Sequence, residues 1–394
     1  MEDNKTEKEI EETLPPEQEQ ETAAEPVAAE KIEATKENET PKKTEEKPKK
    51  QKKKMKKSTK IILICVSIFL GLLLAALITA VIWGKTLLAK IPRFGDNEPT
   101  LSFEEALKLR EETDPVDENF TGPSYNGEDV DMPEDSAEMI KKNKNIVNIM
   151  LVGQDRREGQ GRQRSDAMIL CTINKETKKL TMTSFMRDLW VRIPGYYDER
   201  LNVPYAIGGF KLLNKTMAYQ YGVNVDYSVE VDFTGFESVV NKLGGVTISL
   251  TAAEASTLNK GTNWGLSAGT NTLNGEQALA YSRIRKIDSD FVRTSRQRTV
   301  LMAVFNKMKT KSVTELYDIM LDILPLVKTD MTDSEIVDLL FSVGPMLSEL
   351  DTTAQRIPLD GTYEHAMIDG KAVLFLNPTN LEKNRKFLKE SLTK

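Results

Sequence analysis

The sequence predicts a mixed α/β fold: an α-β-α layered domain with a central mixed sheet, carried behind one transmembrane helix and a disordered N-terminal tail. Three observations predict it. From residue 144 onward, short β-branched apolar runs alternate with segments of helical period, the pattern of layers around one sheet. Residues 61–83, IILICVSIFLGLLLAALITAVIW, are 23 residues without a charge, enough to cross a bilayer as a helix. Residues 1–60 hold 15 Lys against 16 Asp plus Glu and almost no large apolar side chain. Such a segment cannot bury enough surface to offset its ordering entropy.

Taken in order, the lysines of the tail crowd its end, from Lys49 to Lys60. A polybasic run before an apolar span stays on the cytoplasmic side, so the chain from Gly84 onward is expected outside the cell. A DNA-binding tail is the rival reading, which the adjoining apolar run disfavours. That run is long for a signal-peptide core and lacks a small-x-small cleavage site, so an uncleaved single-span anchor is expected. Residues 84–143 start with a helical pattern at Phe103–Leu109 and turn to Asp, Glu, Pro, Gly and Asn. They read as an extracellular stalk.

The domain follows at 144–394. Ile146–Val152, Ala167–Ile173, Leu180–Phe185, Tyr227–Phe233 and Val246–Leu250 read as strands, and Ala354–Pro358 and Ala372–Phe375 as shorter ones. Phe210–Tyr221 has helical character. Thr234 is placed as the cap of a helix through Leu243, stopped by Gly244 and Gly245. Asn274 caps a helix over Gly275–Ala280. A longer helix covers Arg293–Lys309 with Val300, Leu301, Val304 and Phe305 on its apolar side, a stripe that reads more simply as core than as a ligand wall. Thr332 with Glu335, and Thr379 with Glu382, form capping-box patterns ahead of the last two helices.

Composition narrows the chemistry. His365 is the single histidine, which leaves a histidine triad or a multi-histidine metal site poorly supported. Cys65 lies in the apolar span and Cys171 in a strand-like run, so no disulfide between them is expected. Carboxylates, arginines and hydroxyls remain. The stretch YSRIRKIDSDFVRTSRQR, 281–298, holds Arg283, Arg285, Arg293, Arg296 and Arg298. Arg283 and Arg285 share a side of an extended segment. Arg293, Arg296 and Gln297 share a helix face. Guanidinium forks match phosphate oxygens, so the arginines from Arg283 to Arg296 point to a pyrophosphate site. The plainer alternative pairs them internally with Asp288 and Asp290. An acidic domain with one local arginine cluster argues against a nucleic-acid partner. Asp155 follows the first strand and Asp166 precedes the second, with Arg164, Arg187 and Asp188 at the same edge. Two carboxylates there suit Mg²⁺ (or Mn²⁺) with phosphate oxygens; each Asp alone reads more simply as a loop cap or turn former, and the case rests on the combination.

With these residues in hand, the sequence resembles the LytR-CpsA-Psr family of cell-wall glycopolymer ligases. The motifs are NIMLVGQDRR (145–157), RSDAMIL (164–170), SFMRDLWVRIPG (184–195), RLNVPYAIGG (200–209), VDFTGFESVVNKLGGV (231–246), LNGEQALAYSRIRK (273–286) and DFVRTSRQ (290–297). The resemblance implies a central sheet flanked by helices, an apolar pocket for a polyprenyl chain, and transfer of a glycopolymer from an undecaprenyl-pyrophosphate carrier to a peptidoglycan hydroxyl in a Gram-positive-type envelope. By motif, Asp155 and Asp166 look like Mg²⁺ carboxylates. Arg187, Arg283, Arg285 and Arg293 look like a pyrophosphate clamp, with Asp290 and Gln297 beside them. Asp166 and Asp290 are both candidates for the general base. Met186, Gln154 and Thr234 depart from the residues usual in the family at those positions, and none of these changes removes an assigned charge. A lipid-pyrophosphate hydrolase using the same site, and a non-catalytic envelope protein that binds such lipids, are the alternatives.

Overall fold

Each long strand of this chain sends alternate side chains into two different layers. The structure, a computed structural model, describes residues 84–393 except positions 87, 90, 94–98, 112–119, 131, 134, 155–160 and 286. The expected tail at 1–60 and span at 61–83 lie outside the described residues. Among the described residues no helix is long and apolar enough to cross a membrane.

The first half runs α1 (Phe103–Glu111), β1 (Ser124–Tyr125), β2 (Ile146–Gln154), β3 (Ser165–Asn174), β4 (Lys179–Phe185), β5 (Trp190–Arg192), β6 (Asp198–Arg200), α2 (Val203–Tyr221), β7 (Tyr227–Val231), α3 (Phe233–Lys242) and β8 (Val246–Leu250). There follow α4 (Ala252–Asn259), β9 (Gly269–Leu273), α5 (Gly275–Ser282), α6 (Asp290–Lys309), α7 (Val313–Ile323), β10 (Val327–Thr329), α8 (Asp333–Val343), β11 (Asp351–Ile357), β12 (Glu364–Ile368), β13 (Lys371–Phe375) and α9 (Pro378–Thr393). Six strands form the central sheet in the order β10-β7-β2-β3-β4-β11. It is mixed: β2 pairs parallel with β7 and antiparallel with β3, while β4 pairs antiparallel with β3 and parallel with β11.

Layering follows from the two-residue period of the strands. Met150 and Val152 of β2, with Met168 and Leu170 of β3, face a core shared with Phe210, Leu213, Met217 and Tyr221 of α2. Their neighbours Ile149, Leu151, Ile169 and Cys171 face the opposite layer, with Leu301, Met302 and Phe305 of α6 and Leu339 and Val343 of α8. A strand buried on both faces reads as a continuous apolar run, and that is how these strands read in sequence. A third core gathers Val240 of α3, Val246 and Ile248 of β8, Leu273 of β9, Tyr281 of α5 and Val300 and Val304 of α6. The β8–β9 pair is therefore not part of the central sheet. It is the backing of a module set against α6.

Some expectations need correction. The cap of α3 is Asp232, whose side chain accepts from Gly235 N, so the helix starts ahead of Thr234. At α9 Asn377 takes the capping role, accepting from Asn380 N at 2.9 Å, and Thr379 is already helical. The segment read as a stalk is, in its described parts, packed on the domain. Ala106 of α1 is fully buried, β1 pairs with β12, and Ala137 N donates to Tyr219 O at 2.7 Å. Polar composition hid the few apolar residues that dock it.

Candidate active site

Register places the strand ends that matter on one edge of the sheet. Gln154, ending β2, stands opposite Ser165, starting β3, and Met168 stands opposite Phe185, ending β4. Asp166 and Arg187 are thus brought together. Arg187 Nη1 donates to Asp166 Oδ1 at 2.9 Å. Its Nε lies 3.5 Å from Asp188 Oδ1 and its Nη2 3.9 Å from Asp290 Oδ1. Arg293 Nη2 lies 2.7 Å from Asp290 Oδ1, and Arg285 Nη2 lies 3.9 Å from Asp166 Oδ1. The Arg283 guanidinium stacks 4.3 Å over the Phe233 ring.

Asp166, Arg283, Arg285 and Arg293 line one end of a pocket with a cavity volume of about 220 Å³, between α6, the edge of β2 and β3, and helices α3 and α5; Arg187 and Asp290 are tied to that lining through Asp166 and Arg293. Arg293 and Gln297 of α6 lead along one helical stripe to Val300, Leu301 and Val304, all on the pocket lining. Leu151, Ile169, Phe236, Val239 and Leu279 complete apolar walls around them. The polar end is the open one: the Arg285 side chain is 58% exposed, whereas Val300 is 1% exposed. The α6 stripe expected to be plain core is therefore in part a pocket wall, and Phe305 alone of its four residues is off the lining, in the core between the sheet and α8.

Donor capacity is left over at this end. Arg293 is 2% exposed, yet its Nε and Nη1 have no hydrogen-bond partner among the described residues, nor does Arg187 Nε. Burial, reinforced by the neighbouring Arg187 charge, holds Arg293 below its ordinary pKa. Burial also pulls on Arg187, but the combined field of Asp188, Asp290 and Asp166 lifts it above the usual value. Burial raises Asp188. Asp290 Oδ2 is buried and likewise unpartnered among the described residues.

Arg296 does not join this group. Its Nε bonds Glu254 Oε1 at 2.7 Å, its Nη1 bonds Asp288 Oδ1 at 3.0 Å and Ile284 O at 3.2 Å, and its Nη2 pairs with Asp288. The pairing of an arginine with Asp288 and the clustering of arginines at a pocket are thus both present, on different sides of one helix, while Asp290 pairs with Arg293 inside the cluster. Arg164 is not on the pocket lining, and its Nη2 donates to Leu109 O at 3.3 Å. Asp155 lies outside the described residues. Sequence alone assigns no role to Asp188, Asp232, Phe233 or Ser282. The last three line the pocket, and the placement of Asp188 directly after Arg187 is its only local signal.

A hard divalent cation suits the chemistry here. Mg²⁺ takes one or two carboxylates and completes its shell with phosphate oxygens and water. Asp166, on the pocket lining and 31% exposed, is a donor of that kind. Among the described residues no three acidic, cysteine or histidine side chains group closely enough to hold a metal by themselves.

Comparison with known proteins adds to the geometry. The LytR_cpsA_psr family model matches residues 116–390. The polyisoprenyl-teichoic acid–peptidoglycan teichoic acid transferase TagT of Bacillus subtilis (strain 168) is 40% identical over 199 residues, 48% of this chain and 62% of that protein. The chain thus spans less than two thirds of that relative. The regulatory protein MsrR of Staphylococcus aureus (strain Mu50) is 32% identical over 253 residues, 63% of this chain and 76% of that one. Among solved structures, TagT (YwtF) with bound octaprenyl pyrophosphate lipid superposes with TM-score 0.50 at 30% identity, covering 67% of this chain and 99% of that one. TagT bound to LI-WTA gives TM-score 0.53 at 32% identity over the same shares.

Proposed function

The chain belongs to the LytR_cpsA_psr family, and from that premise we propose that it transfers a glycopolymer from a polyprenyl-pyrophosphate carrier to a peptidoglycan hydroxyl. The observation that carries this reading is the α6 stripe. Arg293 and Gln297 lead into Val300, Leu301 and Val304 along one pocket, an anion-binding head continued by an apolar trough. An isoprenoid pyrophosphate has the same order of parts.

In this reading the prenyl chain lies along the apolar walls. Arg283, Arg285 and Arg293, with Gln297, hold the pyrophosphate, and the unpartnered donors of Arg293 and Arg187 take its oxygens. Preorganised donors of this kind favour the charge that builds up in phosphoryl transfer. The acceptor hydroxyl attacks the phosphorus that bears the sugar. The bridging P–O bond breaks, polyprenyl phosphate leaves with that oxygen, and a phosphodiester forms. The hydroxyl proton passes to Asp290. Its Oδ2 is buried and unpartnered, whereas Asp166 Oδ1 is engaged by Arg187. Asp155 and Asp166 would hold Mg²⁺ (or Mn²⁺), which when bound supplies further neutralisation of the pyrophosphate. Residues 61–83 would anchor the chain, with the N-terminus cytoplasmic and the domain outside. The polymer class is an anionic wall polymer such as a teichoic acid or capsule polysaccharide.

The test uses the full-length protein in detergent with a short polyprenyl-pyrophosphoryl glycan, Mg²⁺ and peptidoglycan oligomers, followed by mass spectrometry. Phosphate-linked product with wild type and none with Arg283→Ala is expected. Glycan phosphate released without attachment would replace the transfer reading with lipid-pyrophosphate hydrolysis. Tight lipid binding with no turnover would make the protein a non-catalytic carrier of such lipids.

A further inference from the structure

A second cationic group lies on the next flank of α6 and is not used by the clamp. Arg298 sits one turn ahead of Leu301 and Met302 and two turns ahead of Phe305, the stripe that packs against Leu180 and Met182 of β4. Its Nη1 is buried and has no hydrogen-bond partner among the described residues. Ser184, near the end of β4, is 1% exposed, and its Oγ is also unpartnered. Arg356 of β11 stands directly opposite Ser184 in the parallel register, so its side chain leaves the sheet on the same face. The Arg356 guanidinium lies 4.4 Å over the Phe291 ring. The carboxylate it meets is that of Asp360, a side chain that is 88% exposed. Burial, with repulsion from Arg356, pulls Arg298 down to about 10.

A half-buried guanidinium with one buried, unpartnered nitrogen and a buried hydroxyl without a partner both carry a desolvation cost. Two neighbouring arginines with one solvated counter-charge leave net positive charge on the sheet face from which Ser184 also projects. A solvated surface pair is the ordinary explanation of neighbouring arginines, and it does not account for the buried, unpartnered atoms. One oxyanion would satisfy both.

We propose that Ser184, Arg298 and Arg356 form a second oxyanion subsite, which takes a carboxylate carried by the acceptor glycan or its peptide. This rests on the transfer reading above. The acceptor is favoured over the donor by position. The donor's head and chain follow the stripe from Arg293 to Val304 on the pocket side of α6, whereas Phe291 and Arg298 lie on the adjacent flank. Asp290 and Arg298 are eight residues apart, about 12 Å along the helix axis, a separation of the order of one or two sugar units. The Phe291 ring under Arg356 belongs to a group of three. Phe291 lies 4.9 Å from Tyr363 and 6.1 Å from His365, and Tyr363 lies 5.4 Å from His365. His365 is exposed, which leaves ring surface for a sugar face.

The probe is N-acetylmuramic acid, whose lactyl carboxylate is free, with neutral N-acetylglucosamine as control and inorganic phosphate as a probe of the clamp. Melting of the full-length chain is followed with each. N-acetylmuramic acid is expected to raise the wild-type Tm and N-acetylglucosamine to leave it unchanged. The shift should vanish in Arg356→Gln and Ser184→Ala yet persist in Arg283→Ala, which should instead lose the shift with phosphate. Arg298→Met should melt higher than wild type without ligand, because a half-buried, unpaired charge is gone, and should not respond to N-acetylmuramic acid. In the transfer assay, Arg356→Gln should raise the acceptor KM about tenfold, the size of one charge-assisted contact, with donor KM unchanged. A shift with N-acetylmuramic acid that survives in both Arg356→Gln and Ser184→Ala overturns the subsite, as does an equal shift with N-acetylglucosamine. Loss of that shift in Arg356→Gln alongside a wild type that transfers nothing would uphold the carboxylate subsite and sink only the transfer reading.

Discussion

Arg293 and Arg296 stand three residues apart on α6, 2% and 3% exposed, and they are opposite in kind. Arg296 has its nitrogens bonded to Glu254, Asp288 and Ile284 O. Burial would lower its pKa, but those two carboxylates lift it above the ordinary value. Arg293 faces one carboxylate oxygen, keeps Nε and Nη1 unpartnered among the described residues, and is held below its ordinary value by burial and by Arg187. A guanidinium saturated by its own chain has nothing left for a ligand. One that is buried and unsaturated is a binding group, and its desolvation is already complete when the ligand arrives. The leftover donors, rather than the mere presence of arginine, separate the site from the scaffold.

The sharpest way to break this contrast is to remove each arginine in turn. Arg296→Met strands Glu254 and Asp288 and should lower unfolding stability by about 3–5 kcal/mol, read from denaturant melts, while the folded fraction keeps its lipid affinity. Arg293→Ala should do the reverse. Transfer should fall about 10²- to 10³-fold with the Tm unchanged or raised. If Arg293→Ala collapsed the fold and Arg296→Met abolished turnover, the two assignments would have to be exchanged.

The scaffold side is partly legible in the sequence. Strands buried on both faces show as unbroken apolar runs, and Asn274 and Thr332 announce their helices through local capping chemistry. The hidden part depends on contacts distant in sequence. Arg296 and Arg293 read alike because the partner that distinguishes Arg296, Glu254, lies 42 residues away. It sits on α4, a short helix whose Thr251–Glu254 capping box is its main local sign. The packing of the described residues between 101 and 140 rests on isolated residues such as Ala106 and Ala137 in polar sequence. The clamp itself is legible as a cluster of arginines, but its pocket is not. Val300, Leu301 and Val304 have the spacing of core, and the space beside them is made by α3 and α5.

A milder test extends the contrast along α6. Val304→Phe narrows the apolar end of the pocket without touching the arginines. It should weaken binding of long prenyl pyrophosphates, by about tenfold for a group that loses one or two buried methylenes, and leave short ones such as a dimethylallyl analogue unchanged. Equal losses for both lengths would mean that the chain does not run along this stripe.

The smallest expected effect is on acid stability, and there the two sides of the helix should pull in opposite directions. Burial alone would raise Glu254, but the Thr251 backbone and the Arg296 guanidinium hold it below its usual value. A carboxylate with a depressed folded-state pKa contributes stability that is complete above about 4.5, and this is lost as pH falls through the lower folded value. Asp188 is shifted the other way, raised by burial against the pull of Arg187. Its ionised form therefore costs stability, and that cost is relieved as pH falls through the raised value toward the ordinary one. Below pH 4.5 the scaffold side should weaken while the clamp side relaxes. Asp188→Asn removes the relief, so its urea midpoint should fall more steeply with acid than that of wild type. Arg296→Met removes part of the loss, since Thr251 still holds Glu254, and its midpoint should fall less steeply. Identical slopes in all three proteins would show that neither carboxylate is shifted by folding, and the electrostatic half of the distinction between Arg293 and Arg296 would go with them.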